Sequence, residues 1–260
     1  MRSATKQGSP GSLAQAPFDP PPVDVDWRIA SMLYWRQAEN DWMSTMRIIS
    51  APSIVDAAPI EAVDCLRQGG LVAYPTDTLY GLGAVATNDG AVRRLFQAKN
   101  RTMQKPLPIL VGSFEDARWV ADMEMALALR LASRFWPGPL TLVLPRAVGF
   151  HSLALAGGET VAIRVPNHAV PLGLIRSVGQ PLTGTSANIS GGAAPLTAQA
   201  VADQLGDRID IIIDGGRCPG GIESTVVDLT GDVPQLVREG AISRAEIESI
   251  TGSQLPNAEE

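Results

Sequence analysis

The stretch from Lys99 to Lys105 holds two of the chain's three lysines, while the eighteen other basic side chains of Lys or Arg type are arginines. An ammonium is a compact point charge that suits phosphate or a developing anion. A guanidinium instead recognises carboxylate or phosphate through two parallel N–H groups. Lys99 and Arg101 place both kinds of cation two residues apart, which is typical of nucleotide chemistry. A solvated basic loop after a helix would give the same pattern, because cations favour a helix C-terminus.

Two other segments combine hydroxyl or amide side chains with glycines next to a strand-like run. Residues 74–83 place Thr76, Asp77 and Thr78 directly after a buried strand, and residues 183–192 contain five hydroxyl or amide side chains and three glycines. Hydroxyls and backbone N–H groups at such turns suit a small polar substrate or an anion. An Asx-type turn explains the first segment equally well. The strand before the second segment favours binding over a flexible loop.

The remaining polar features are glycine pairs and isolated arginines. Glycine pairs at 215–216 and 220–221 cost backbone entropy, which indicates close approach or unusual dihedral angles in this region. Arg164 and Arg238 lie in or directly after short apolar strands, where a charge is costly to bury unless an anion pairs with it. Each arginine therefore predicts either a structural ion pair or an anion-binding group.

Composition argues against several classes of protein. The net charge of −6 and the pI of about 5.0 do not suit a protein that coats nucleic acid, and DNA binding is not expected. No apolar run approaches the roughly 20 residues that span a bilayer, so no membrane insertion is expected. Two cysteines and two histidines, without metal-ligand spacing, predict no metal site built by the protein. The cytoplasm is the expected location.

Patterning divides the chain into three parts. Residues 1–45 are rich in Gly, Ser and Pro with little periodicity, which predicts an N-terminal extension that is poorly ordered or an artefact of an upstream start codon. From residue 47 onward, strand-like and helix-like segments alternate, which predicts a single α/β domain over residues 46–252. Residues 253–260 read as a C-terminal tail.

Capping signals place the candidate residues on these elements. Asn88 or Asp89 is expected to begin a helix that delivers Lys99 and Arg101 at its C-terminal edge. His168 stands at another helix start, where a capping or solvent-facing role is favoured over catalysis. We therefore assign no chemistry to it.

Six ordered motifs resemble those of the threonylcarbamoyl-AMP synthases, a family of proteins with a YrdC-like domain. The match runs from about residue 47 to about residue 250. The resemblance is to the short form, which lacks the extra C-terminal domain of longer members. It implies an α/β fold in which helices flank an open, twisted mixed sheet around a large cavity. The motifs are Pro75–Gly83, Lys99–Arg101, Trp136–Pro139, Arg164–Pro166, Thr185–Asn188 and Glu223–Thr225.

The resemblance implies a nucleotidyltransferase of tRNA processing. Family members condense L-threonine, bicarbonate or CO2, and ATP into threonylcarbamoyl-AMP and pyrophosphate, with Mg²⁺ carried on the ATP phosphates. A partner complex then transfers the threonylcarbamoyl group to the tRNA adenosine next to the anticodon. Positioning and charge control dominate such phosphoryl chemistry, which fits a chain with little histidine.

Site residues follow from the resemblance, position by position. The implied catalytic residues are Lys99, Arg101, Ser186 and Asn188. The implied ATP-binding residues are Lys99, Met103, Thr160, Ser186, Ala194 and Arg238. The implied threonine-binding residues are Thr76, Arg164, Gly184 and Ser224, with Arg164 binding the carboxylate. The chain departs from the family pattern at Thr102, which replaces a proline, and at Leu110, which stands where the family has a histidine.

Two other functions are compatible with parts of the pattern. One is carbamoyl-adenylate handling, as in the related domain of hydrogenase-maturation proteins, although those domains sit in long chains with zinc fingers. The other is an RNA-binding or translation-associated module, which the acidic pI disfavours. An enzyme would release pyrophosphate from ATP only with threonine, whereas a binding module would show salt-sensitive RNA affinity without turnover.

Overall fold

The computed structural model describes residues 46–51 and 58–257. These residues belong to one compact unit. The predicted extension over 1–45 and the last three residues of the predicted tail, 258–260, lie outside the described residues. The described part of that tail is packed, because Leu255 is buried and the Leu236 N–H donates to the Pro256 carbonyl at 2.9 Å.

Helices and strands are interspersed through the described residues, which agrees with the predicted α/β class. The helices are α1 Ile60–Arg67, α2 Asp89–Ala98, α3 Phe114–Val120, α4 Ala126–Phe135, α5 Ala169–Val178, α6 Ala198–Leu205 and α7 Arg244–Thr251. The strands are β1 Arg47–Ser50, β2 Val72–Tyr74, β3 Gly81–Gly83, β4 Ile109–Leu110, β5 Leu140–Pro145, β6 Thr160–Arg164, β7 Leu182–Thr183, β8 Thr185–Ser186, β9 Ile211–Asp214, β10 Thr225–Asp228 and β11 Gln235–Arg238.

The strands form two mixed sheets in place of the single sheet that the resemblance implied. One sheet has the order β1-β9-β2-β3-β8, and the other has the order β11-β10-β5-β6-β4-β7. Each sheet contains both parallel and antiparallel pairs. The α/β class is confirmed, whereas the large cavity stays a prediction.

Gly184 is the residue at which the chain passes from one sheet to the other. β7 ends at Thr183 and pairs with β4, while β8 begins at Thr185 and pairs with β3. A Cβ atom on Gly184 would lie 2.7 Å from the Leu110 side chain, closer than real Cβ contacts allow. A side chain at this crossing is therefore incompatible with the packing of β4 beneath it.

Buried apolar side chains pack on both faces of the first sheet. In β9, Ile212 joins one buried cluster while Ile211 and Ile213 join another, as expected for side chains that alternate across a strand. Helices α1 and α5 cover the second of these faces through residues such as Leu66 and Leu174. An uninterrupted isoleucine run is therefore a strand that is buried on both sides.

Local capping agrees with the sequence. The Asn88 side chain accepts the Ala91 N–H and begins α2, and Ser243 with Glu246 forms a complete capping box at α7. His168 caps α5, since its Nδ1 accepts the Val170 N–H at 3.2 Å. The predicted capping role of His168 is confirmed. None of the helices in the described part of the chain combines the length and apolarity needed to cross a membrane.

Candidate active site

A cleft of about 380 Å³ lies where the two sheets meet. Its lining includes β8 from the first sheet, and β4, β6, β10 and β11 from the second. Seven of the predicted site residues line it: Thr76, Arg101, Arg164, Gly184, Ser186, Ser224 and Arg238. Side chains that are far apart in sequence therefore share one polar cavity with three guanidinium groups.

The C-terminus of α2 directs its two cations to different places. Asn100 takes a left-handed conformation, with φ of 50°, which asparagine tolerates better than most residues. Its N–H donates to the Gln97 carbonyl, and the Arg101 N–H donates to the Phe96 carbonyl. These two bonds form a Schellman motif that turns the chain sharply after Lys99. As a result Lys99 is buried, at 2% exposure, while Arg101 lines the cleft.

The Lys99 ammonium is held by backbone oxygens of the segment after β8. Its Nζ donates to the carbonyls of Ser186 and Asn188, the latter at 2.7 Å, and lies 3.4 Å from Asn188 Oδ1. The Ser190 N–H also donates to the Lys99 carbonyl at 2.9 Å. Lys99 therefore fixes the shape of this segment from behind the cleft.

Ser186 and Asn188 are coupled to each other as well as to Lys99. The Ser186 hydroxyl donates to Asn188 Oδ1 at 2.5 Å, and Asn188 Nδ2 donates to the Gly192 carbonyl at 2.7 Å. Ser186 lines the cleft, whereas Asn188 is buried behind it at 7% exposure. Asn188 therefore orients the Ser186 hydroxyl at the cleft wall.

Arg164 lies at the end of β6 in a buried network. Its Nη2 donates to Asp77 Oδ1 at 2.5 Å, its Nη1 to Thr78 Oγ1 at 3.1 Å, and its Nε to the Gly138 carbonyl at 2.9 Å. A guanidinium has five N–H groups, so one on each terminal nitrogen has no acceptor among the described residues. Arg164 is thus a structural ion pair that keeps two N–H groups, a donor set of the kind that suits a carboxylate.

Thr76 is the predicted site residue most occupied by its own turn. Its Oγ1 accepts the N–H groups of Thr78 and Leu79 and donates to the Leu79 carbonyl at 2.7 Å. These bonds close an ST-type turn that presents Asp77 and Thr78 to Arg164. The turn in this segment is therefore built on the Thr76 hydroxyl and is not of the predicted Asx type.

Arg238 and Glu223 form the second ion pair of the site. Arg238 Nη1 donates to Glu223 Oε2 at 2.5 Å, and its Nε and Nη2 donate to the Ser224 carbonyl at 3.1 and 2.9 Å. The Ser224 hydroxyl lies 2.9 Å from the Thr141 hydroxyl. Thr141 and Glu223 received no role from the sequence. The signal for Thr141 was a hydroxyl inside an otherwise apolar strand.

Besides Lys99, the structure leaves three predicted ATP-binding residues outside the cleft lining. Met103 is 38% exposed on the loop after α2, Thr160 is exposed at the first position of β6, and Ala194 is exposed before α6. Their roles stay predictions. Leu110 is buried and lines the cleft against Gly184, so the position of the family histidine is apolar here.

The buried ammonium gives folding stability a defined pH dependence. Burial, assisted by the nearby Arg101 charge and opposed by Glu223, lowers the pKa of Lys99 from 10.5 to about 8. Between these values the unfolded chain binds more protons than the folded chain, so the contribution of Lys99 to stability rises with pH. We therefore expect the unfolding free energy of wild type to increase relative to that of Lys99→Met from pH 8 to 10.5. Chemical denaturation measures this difference.

A matched control is the exposed lysine of the same loop. Lys105→Met is measured over the same pH range, because Lys105 is exposed. A Lys99→Met difference that does not change with pH would show that the ammonium is not desolvated.

Comparison with known proteins places the chain in a family. A family model for Sua5, YciO and YrdC proteins, described as "Telomere recombination", matches residues 64–240. This chain belongs to the Sua5/YciO/YrdC family. Membership confirms the resemblance seen in the six sequence motifs. The matched range contains every predicted site residue.

Individual members of the Sua5/YciO/YrdC family are similar over most of this chain. A curated Pyrococcus abyssi protein named threonylcarbamoyl-AMP synthase is 46% identical over 191 residues, covering 74% of this chain and 56% of the relative. A Bacillus subtilis protein of the same name is 41% identical, covering 84% of this chain and 61% of the relative. The chain therefore spans about three-fifths of the length of these curated relatives.

A solved structure gives the same result for the fold. The crystal structure of P. abyssi Sua5 complexed with L-threonine matches with a TM-score of 0.77 and 41% identity. The match covers 82% of this chain and 62% of that chain. The arrangement described above is therefore the Sua5/YciO/YrdC fold.

Proposed function

We propose that this chain is an L-threonylcarbamoyladenylate synthase, which makes threonylcarbamoyl-AMP and pyrophosphate from L-threonine, bicarbonate or CO2, and ATP. The observation that carries the proposal is that one cleft joins the two predicted half-sites. Arg164 and Ser224 of the threonine half-site line it together with Arg101, Ser186 and Arg238 of the nucleotide half-site. Relatives named threonylcarbamoyl-AMP synthase, and a Sua5 solved with L-threonine, support the same activity.

The reaction needs one addition and one displacement, at positions that the cleft can hold close together. The neutral threonine amine adds to CO2, which is in equilibrium with bicarbonate, and releases a proton to solvent to give a carbamate. A carbamate oxygen then attacks the α-phosphorus of ATP, and pyrophosphate leaves. Both steps bring anions together, so neutralising charge and fixing the reactants in line account for most of the rate gain.

We assign each side chain a role from its position in or behind the cleft. Arg164 takes the threonine carboxylate through its two remaining N–H groups, and Ser224 adds a hydroxyl beside it. Arg101 and Arg238 neutralise phosphate oxygens, while Ser186 donates its hydroxyl to the adenylate. Lys99 and Asn188 hold the Ser186 segment in place from behind.

Mg²⁺ belongs to the proposal as an ion that is brought by ATP. Nowhere in residues 46–51 and 58–257 do three His, Cys, Asp or Glu side chains cluster as ligands. The protein side chains therefore do not fit a dedicated magnesium cage. Mg²⁺ usually keeps several waters and binds through nucleotide phosphates.

The downstream steps are part of the same proposal. The product would be consumed in the cytoplasm by a transferase complex that modifies the tRNA adenosine next to the anticodon. Neither RNA binding by this chain nor carbamoyl-adenylate handling is favoured by a particular feature of the cleft, so we propose no second function.

Pyrophosphate release tests the proposal directly. Purified protein with ATP, bicarbonate and Mg²⁺ should release pyrophosphate with L-threonine and not without an amino acid, and L-serine reports the selectivity for the β-methyl group. Mass spectrometry should find threonylcarbamoyl-AMP in the threonine reaction alone. Folded protein that releases no pyrophosphate with threonine would exclude this function.

A further inference from the structure

The side chains that line the cleft carry more positive than negative charge. Three guanidiniums, from Arg101, Arg164 and Arg238, face it, whereas Glu223 is the one acidic side chain among the described lining residues. Asp77 lies outside the lining and is engaged by Arg164. A carboxylate weakens the attraction of such a site for a polyanionic nucleotide. The presence of Glu223 therefore requires a different explanation.

Glu223 has one carboxylate oxygen in use and one available. Oε2 accepts from Arg238 Nη1 at 2.5 Å, while Oε1 has no donor among the described residues. The side chain is 42% exposed. Its backbone carbonyl accepts the Ala241 N–H at 2.9 Å, and Ser224, the next residue, is tied to Thr141. Glu223 thus carries an oxygen without a donor, on a fixed backbone, at a lining position of the cleft next to Ser224 of the predicted threonine half-site.

An amino acid is a zwitterion, and each of its charges needs a partner in this cleft. Its carboxylate finds one at Arg164, whose terminal nitrogens each keep an N–H without an acceptor in the described residues. Its ammonium would be repelled by three nearby guanidiniums unless a carboxylate accepts from it. Arg164, Glu223 and Arg238, the partner of Glu223, line the same cleft. Both substrate charges can therefore find a partner on the wall of one cleft.

We infer that Glu223 binds the α-ammonium group of the amino-acid substrate through Oε1. This assignment rests on the proposed function, because it identifies the group that holds threonine's nitrogen in that site. Arg164 and Glu223 together then fix the carboxylate and the nitrogen of one substrate molecule. The nitrogen that attacks CO2 is held in a set direction before it loses its proton.

Glu223→Gln is the variant that tests this role, because glutamine keeps the shape and an oxygen for Arg238 but loses the charge. The matched control is Glu159→Gln. Glu159 Oε2 lies 2.7 Å from Arg146 Nη2, and this Glu–Arg pair is outside the cleft lining. Two probes are titrated into each protein by calorimetry. They are L-threonine and 2,3-dihydroxybutanoate of matched stereochemistry, in which a hydroxyl replaces the ammonium group.

We expect Glu223→Gln to weaken threonine binding about 10-fold or more, since hydrogen bonds to charged groups contribute at least that factor. The hydroxy acid should bind wild type and Glu223→Gln within twofold of each other, and Glu159→Gln should match wild type with both probes. Equal losses for both probes, or unchanged threonine affinity, would overturn the assignment. A changed Mg²⁺ requirement at unchanged threonine affinity would overturn it in favour of a metal ligand. Wild-type protein that binds no threonine would overturn the proposed function as well.

Discussion

Replacing Lys99 with methionine is expected to lower threonine-dependent pyrophosphate release about 100-fold, since misplacing a catalytic group by about 1 Å costs about that factor. The ammonium joins the carbonyls of Ser186 and Asn188. Without it the segment that presents the Ser186 hydroxyl loses its fixed shape. Initial rates at saturating ATP and threonine measure the loss.

The same substitution is expected to reduce the unfolding free energy by about 2–5 kcal/mol, because buried carbonyl oxygens lose their donor. Lys99 is therefore a positioning residue that also stabilises the fold. Both the activity and the unfolding free energy of the variant must be measured. Lys105→Met is the control, since Lys105 is exposed on the same loop. Activity near the wild-type rate in folded Lys99→Met protein would contradict the expectation.

The second large effect is expected at Arg164. Arg164→Gln leaves Asp77 buried without its cation, since their side chains are only 8% and 13% exposed. Breaking such a pair from one side costs about 3–5 kcal/mol of unfolding free energy. The variant also loses the fork that we propose for the threonine carboxylate. We expect the KM for threonine to rise about 100-fold, with a much smaller change in the KM for ATP.

A double variant separates the structural loss from the functional one. Arg164→Gln combined with Asp77→Asn removes both charges and leaves two amides that can hydrogen-bond. Denaturant unfolding should then recover most of the lost stability, while the KM for threonine should stay high. Recovery of threonine use along with stability would show that Arg164 acts only as a structural partner of Asp77.

Local features of this chain could be predicted from its sequence. Asn88 as a cap and Lys99 at the end of α2 follow from side-chain chemistry within one turn of the helix, and the structure has both. The alternation of strands and helices follows from periodicity, which also depends on near neighbours. Such features are decided by interactions over a few residues, and a single sequence contains that information.

Non-local features could not be predicted in the same way. Strands β3 and β8 read as turns, because Gly81–Gly83 has low strand propensity and Thr185–Ser186 stands in a Gly- and Ser-rich run. They are strands because each finds a partner distant in sequence. Gly184, where the two sheets divide, packs against Leu110, which lies seventy-four residues earlier.

The site shows the same limit. Sequence alone left open whether Arg164 pairs with an acid or binds an anion, and the structure gives it three protein acceptors and two unused N–H groups. The depth of Lys99 was also not predictable, because exposure depends on the segment after β8 that covers it. The family motifs compensate for part of this limit by grouping residues that only the fold brings together.

The three-point attachment of Lys99 sets the length of the chain segment that it holds. Its side chain reaches the carbonyls of Ser186 and Asn188, while its own carbonyl receives the Ser190 N–H. One inserted or deleted residue between 186 and 190 would move at least one of these groups out of reach. The spacing between Ser186 and Ser190 in this chain is therefore fixed by a side chain from another part of the sequence, whereas no bond to Lys99 constrains the described residues beyond Gly192.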